Sequence, residues 1–188
     1  MLSVVIPTSN SERVLVPTLA MLVPGAMSGI VREVIIADGG SNDETLGIAD
    51  VAGCTVLSSP EPLAARLRAA AAGARAPWLM FLRAGAVLDS TWVEETARFI
   101  EEAVRSEGDA AVFRRAVSAR ASFPALREAF GLAMFAVFGR GAPDQGLVIS
   151  RRRYDALGGH RDAAADPEAD LLARLGRVLL LRSGVRSP

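Results

Sequence analysis

Between Glu33 and Thr45 the chain reads EVIIADGGSNDET, and this stretch narrows the available folds more than any other. Val34-Ile35-Ile36 is a short β-branched run of the kind that forms a buried strand. It ends in Asp38-Gly39-Gly40, where two glycines free the backbone for a tight turn close to a ligand. Ser41 stands three residues before Glu44, the spacing of a helix-capping box, which predicts a helix from about Asn42 to Val51. A carboxylate at the carboxyl end of a parallel strand, facing a helix start, lies where open α/β sheets bind their ligands.

The neighbouring segments extend the same alternation. Leu2 to Ile6 is an apolar run stopped by Pro7, with a polar turn to Glu12 and a helix that Ser11 caps and Pro24-Gly25 closes. Cys54 to Ser58 predicts a third strand, Glu61 to Arg75 an Ala-rich helix, and Trp78 to Leu82 a fourth strand, apolar throughout and therefore central. Strands separated by helices in this order predict an α/β fold with a mostly parallel, Rossmann-like, nucleotide-binding sheet. The length, 188 residues, suits one domain and is too short for a TIM barrel to close.

Composition removes several function classes. The 21 basic and 21 acidic residues balance, so bulk charge points to neither nucleic acid nor an anionic membrane as partner. Every basic residue is Arg, which excludes Schiff-base and P-loop lysine chemistry. One cysteine, Cys54, and one histidine, His160, are too few for a disulfide or a structural zinc site. The first ten residues lack a basic region and a long apolar run, and no apolar stretch reaches membrane-spanning length, so a cytoplasmic protein is expected.

Beyond Asp89-Ser90 the pattern predicts a helix from Thr91 to about Ser106 and a strand from Ala110 to Ser118. Pro124 to Phe138 carries Leu126, Phe130, Met134, Phe135 and Phe138 at helical spacing. That face either packs on the core or meets a lipid-linked acceptor or the membrane surface. A strand from Gln145 to Ser150, a short helix over Arg151 to Leu157, a mobile loop from His160 to Ala165, a helix from Pro167 to about Leu175 and a strand over Val178 to Leu181 complete the chain. Asp144-Gln145, at a strand start, is a candidate sugar or acceptor contact or, alternatively, a satisfied strand-end hydrogen bond.

VVIPTSNSE at Val4 to Glu12 and VIIADGGSNDET at Val34 to Thr45 together resemble family 2 glycosyltransferases of the GT-A fold. That family carries P-x-x-N-E at the first strand end and D-[GD]-[GS]-S-x-D-x-T at the second. GAPDQGLVISRRR from Gly141 and YDALGG from Tyr154 resemble segments of a small bacterial subgroup of these enzymes. The resemblance implies one domain over 1–188, with a nucleotide-binding half (1–90) and an acceptor-side half (91–188). It implies a nucleotide-diphospho-sugar donor, UDP-linked by family habit, held by Pro7, Thr8, Asn10, Glu12, Asp38, Gly39 and Arg66. Asp38 would accept hydrogen bonds from base or ribose, a role its acceptor-only chemistry suits. The alternative for Asp38 is a turn cap, and for Asp43 a first-turn carboxylate is the better reading.

The same resemblance implies inverting transfer to a saccharide or lipid-linked acceptor hydroxyl, deprotonated by a carboxylate. Aligned on Asp170-Leu171 and Arg174-Leu175, the base position falls to Glu168, with Asp170 beside it in the motif. Glu168 equally suits a helix N-terminus. The family holds Mg²⁺ or Mn²⁺ with a D-x-D segment after the fourth strand, where this chain reads Arg83-Ala84-Gly85. Gly85 cannot ligate a hard cation through a side chain. Arg83 is then a candidate diphosphate clamp or, alternatively, a solvated arginine at a strand end, and Asp89 the nearest later carboxylate for a metal or, alternatively, a helix N-cap. These departures leave two readings open: a metal-independent transferase, in the cytoplasm or at the inner face of the membrane, or a degenerate, non-catalytic domain that binds a nucleotide, a sugar or a partner.

Overall fold

A computed structural model describes residues 1–106, 109–116 and 141–187. Among these residues eight strands form one sheet. They are β1 (Leu2–Thr8), β2 (Val31–Asp38), β3 (Thr55–Ser58), β4 (Trp78–Phe81), β5 (Val87–Leu88), β6 (Ala110–Arg115), β7 (Leu147–Ser150) and β8 (Leu179–Arg186). The helices are α1 (Glu12–Met27), α2 (Thr45–Val51), α3 (Leu63–Gly73), α4 (Trp92–Ser106), α5 (Arg151–Ala156) and α6 (Pro167–Leu175), with a 3₁₀ turn over Pro143–Gln145.

The strand order is β3-β2-β1-β4-β7-β6-β8-β5. β1, β2, β3 and β4 pair in parallel, as the βα alternation predicts. β7 then runs antiparallel to both β4 and β6, and β5 antiparallel to β8. The sheet is therefore mixed, less parallel than the first half of the chain suggests. β4 sits inside the sheet with all four residues buried.

Alternation along the inner strands builds a core on each face. Val4, Ile6 and Met80 join Leu15, Leu19, Trp92 and Phe99 on the α1/α4 side. Val5, Leu79 and Phe81 join Leu67, Tyr154 and Leu171 on the α3/α6 side. A strand covered on both faces loses the polar alternation of a surface strand, which is why WLMF reads as continuous apolar sequence.

Three local expectations fail for identifiable reasons. Pro24-Gly25 does not end α1, which continues to Met27. A Cβ at Gly25 would lie 2.4 Å from the Trp92 ring, whose Nε1 donates to Met21 O at 3.0 Å, so the glycine makes room for an indole. The Ser41/Glu44 capping box does not form either, because α2 starts at Thr45 with no side-chain cap from Glu44. Finally, β5 is too short to leave a pattern, and β8 runs five residues past the predicted end at Leu181. The apolar segment Pro124 to Phe138 lies outside the described residues. Among the described residues no helix is long and apolar enough to cross a membrane.

Candidate active site

The carboxyl ends of β1 and β2 carry two loops laced together by side-chain-to-backbone hydrogen bonds. Asn10 N donates to Ser41 Oγ and Asn42 N to Asn10 Oδ1, both at 2.8 Å. Ser11 N donates to Thr45 Oγ1 at 2.7 Å, Glu12 N to Asp43 Oδ2 at 3.1 Å, and Glu44 N to Glu12 Oε2 at 3.1 Å. Asn10 adopts φ 49° to make these contacts, a left-handed conformation that asparagine tolerates better than most residues. Asp43 also accepts from Thr45 N and Oγ1, so it serves both helix starts, close to its first-turn reading.

Asp38 is at the centre and has no exposed surface. Its two oxygens accept from Thr8 Oγ1 (2.9 Å), Ser58 Oγ (3.0 Å), Gly40 N (2.8 Å), Ser41 N (2.9 Å) and Ser41 Oγ. Burial alone would push its pKa up, but these donors outweigh it and hold the carboxyl at about 2. In this geometry Asp38 has no lone pair left for a base or ribose. These contacts are those of the turn cap, the alternative reading of Asp38. Arg66 reinforces the arrangement, donating Nη1 to Ala37 O at 2.6 Å and Thr8 O at 3.2 Å, and Nε to Glu61 O at 3.1 Å. Its guanidinium packs over Gly39, where a Cβ would lie 3.0 Å from Cζ. Pro7, Thr8, Asn10, Glu12, Gly39 and Arg66 are thus gathered at the carboxyl ends of β1 and β2, where the side chains of Thr8, Asn10, Glu12 and Arg66 bond groups of the surrounding loops.

The second part of the site faces the end of β4. Arg83 reaches Glu168 at the start of α6, with Nε and Nη2 2.8 and 2.6 Å from Oε2. Asp166 caps α6, its Oδ1 accepting from Glu168 N and Ala169 N at 3.0 Å, and its Oδ2 lies 3.9 Å from Arg83. Glu168 is 8% exposed. Burial raises its carboxyl pKa, Arg83 opposes that rise, and the nearby negative charges of Asp166 and Asp144 add to it. Burial disfavours the charge of Arg83, yet the Glu168 contacts outweigh it and raise its pKa. A small cavity between Phe81, Pro143, His160, Glu168 and Leu172 adjoins the carboxylate.

Other expected roles are reassigned by the geometry. Gln145 is buried, donating Nε2 to Phe113 O and accepting from Ala142 N, each at 2.8 Å. Its amide is satisfied within the fold, the strand-end hydrogen bonding that is the alternative to an acceptor contact. Asp144 pairs with Arg115 and is partly exposed. Asp170 bonds Arg174, whose two other nitrogens hold Leu157 O and Gly159 O. Asp170 therefore positions the Gly158-Gly159 turn and leaves Glu168 as the carboxylate of α6 nearest Arg83. The loop predicted to be mobile is anchored: His160 is buried, its Nδ1 2.9 Å from Tyr154 Oη and its ring edge-on to Phe81. Burial, with Arg174 and Arg68 nearby, depresses the imidazole to about 4 and keeps it neutral. Asp166 and the Arg83–Glu168 pairing escaped the sequence reading. An Asp directly before a proline at a helix start was the available signal for the cap.

A divalent cation fits this donor set poorly. Gly85 has φ 90° and its N–H is taken by Thr18 Oγ1 at 2.9 Å. Asp89 accepts from Thr91 N and Oγ1 and from Gly184 N, tying α4 to β8. The bond from Thr91 N is that of the alternative reading, a helix N-cap. Among the described residues no group of three His, Cys, Asp or Glu is placed to hold a metal. The carboxylates that do converge, Glu168 and Asp166, surround a guanidinium.

Solved structures share this architecture. S. aureus TarS aligns at TM-score 0.73 and 17% identity, over 99% of this chain and 60% of its own. A mannosyltransferase from Pyrobaculum calidifontis, solved with GDP-Man and Mn²⁺, aligns at TM-score 0.73 and 17% identity, over 96% of this chain and 54% of its own. Glucosyl-3-phosphoglycerate synthase from Mycobacterium tuberculosis, solved with Mn²⁺, UDP and glucosyl-3-phosphoglycerate, aligns at TM-score 0.62 and 16% identity, over 96% and 69%. The chain thus spans little more than half the length of the first two. No curated protein sequence matches it. The likeness establishes the GT-A fold, and the family model matching residues 3–123 covers well over half of the sequence: the chain belongs to glycosyl transferase family 2.

Proposed function

We propose that this chain moves a sugar from a nucleotide-diphospho-sugar to an acceptor hydroxyl, with inversion and with Arg83 in place of the family's metal ion. Family membership supports glycosyl transfer, and complexes of TarS with UDP-GlcNAc support a UDP-linked donor. Residues 1–90 would supply the nucleotide side and 91–188 the acceptor side of one domain. The observation that carries the proposal is the Arg83–Glu168 pair, a guanidinium fixed at the carboxyl end of the central strand by a buried carboxylate.

The chemistry follows from an exchange of partners. In the resting state Arg83 and Glu168 neutralise each other. A diphosphate offers Arg83 a better, doubly charged and bidentate partner. Arg83, whose side chain is 41% exposed, turns to it and stabilises the charge that grows on the leaving group. Glu168 is then left without its cation in a buried setting, where its raised pKa suits a general base. It takes the proton from the acceptor hydroxyl as that oxygen attacks the anomeric carbon and the nucleoside diphosphate departs.

Calorimetric titration with UDP and GDP, each with and without Mn²⁺, tests this reading. Micromolar UDP binding that is indifferent to Mn²⁺ and lost in Arg83→Ala is the expected result. Binding that requires Mn²⁺ would remove Arg83 from the role. Absence of binding to either nucleotide would favour the second reading, a non-catalytic domain. The saturation of Asp38 by protein donors is the observation on that side.

A further inference from the structure

At the opposite edge of the sheet lies a second concavity, of about 760 Å³. β7 runs antiparallel to β4 with Ser150 opposite Trp78, so α5 begins beside the amino ends of the parallel strands. The donor-side loops and Arg83 lie at the carboxyl ends, a strand length of roughly 13 Å or more away. Arg152 and Arg153 of α5 and Arg177 after α6 form its rim, and Ala156, Leu175 and Leu179 contribute an apolar floor. Leu179 is 54% exposed.

The charge here is unbalanced. Arg152 is paired with Asp109 at 3.2 Å, and Asp109 also accepts from Ser150 Oγ at 2.9 Å. Arg153 and Arg177 have no carboxylate partner among the described residues. Arg153 and Arg177 thus offer one hollow two guanidiniums with no carboxylate partner among the described residues, and their planar forks match phosphate oxygens. An inorganic ion alone would leave the apolar floor wet. A phosphate carried on an apolar body satisfies both features.

We infer that this cavity is a binding site for an amphiphilic phosphate, with Arg153 and Arg177 on the phosphate and Leu175 and Leu179 under the apolar part. The chemistry is shared by a phospholipid headgroup in a bilayer and by a free organic phosphate. The site is independent of the donor-side reading.

Co-sedimentation with vesicles of equal parts phosphatidylglycerol and phosphatidylcholine, against pure phosphatidylcholine, tests the bilayer source. Calorimetric titration with hexyl phosphate, a soluble phosphate on an apolar chain, tests the free one. The comparison protein is Arg153→Gln/Arg177→Gln, two partly or fully exposed substitutions whose thermal melt and UDP titration serve as controls. Binding to the mixed vesicles, or to hexyl phosphate, that weakens about tenfold or more in the double variant supports the site and identifies its source. Vesicle binding should also fall with added salt. Failure of both probes to bind, or binding that the double variant leaves unchanged, overturns it.

Discussion

Asp38 and Glu168 are carboxylates sealed at the same edge of the same sheet, and their pKa values move in opposite directions. Asp38, with no exposure, is held at about 2. Glu168, with 8%, is raised. Burial penalises both, so burial does not separate them. Asp38 is met by five donors from its own and adjoining loops, whereas Glu168 is met by one partly exposed guanidinium and faces two further negative charges. Fixed backbone donors commit a carboxylate to structure, and a single exchangeable partner leaves it available for chemistry.

The largest effect that separates the two falls on Asp38. Asp38→Ala leaves the N–H groups of Gly40 and Ser41 and three hydroxyls without their common acceptor. It should cost about 3 to 4 kcal/mol in denaturant unfolding. A loss below about 1 kcal/mol would mean that water replaces the carboxylate and that the loops do not depend on it.

The contrast also shows what sequence can reveal. The apolar runs of β1, β2 and β4 and the Pro167–Leu175 helix were legible because each is set by local periodicity and by residues that stop or start an element. The position of Asp38 was legible, but its role was not. A strand-end Asp before two glycines reads alike whether its oxygens face a ligand or the loop, and the deciding donors include Thr8, 30 residues away. Gly25 read as a helix end because the indole of Trp92 that needs the space comes much later in the chain. Arg83 and Glu168, 85 residues apart, were each singled out, yet only the fold shows that they meet.

Acid titration sharpens the comparison next. The pKa of His160 falls from 6.5 to about 4 on folding, so the folded state binds its proton less readily than the unfolded one. Its stabilising contribution is present above pH 6.5 and is lost as pH falls toward 4, by roughly 3 kcal/mol at most. Glu168 acts in the reverse sense, since its raised folded pKa favours the native state at low pH and costs stability as pH rises. Unfolding free energies measured between pH 7 and pH 4 should therefore decline in the native protein, and His160→Gln should flatten or invert that decline (the pH limits are rough windows set by the ordinary values). Below about pH 4 the loss of Asp38 follows in both proteins. An unchanged slope in His160→Gln would mean that the imidazole is hydrated despite its place against Phe81.

The smallest stability change is expected at Glu168, and its smallness is the point. Removing one member of a buried ion pair usually costs several kcal/mol because the survivor is stranded. Arg83 is not stranded, since its side chain is 41% exposed and can turn to water. A glutamine at 168 still offers a carbonyl oxygen to the guanidinium and avoids the cost of burying a charge. Glu168→Gln should shift unfolding by about 1 kcal/mol or less in either direction, while UDP binds as well or better because Arg83 is no longer held by an anion. Sugar transfer, once a donor and acceptor are in hand, should fall by roughly 10²- to 10⁴-fold. A loss of stability as large as that of Asp38→Ala would place both carboxylates in the scaffold, and the base of the proposed reaction would then have to lie elsewhere.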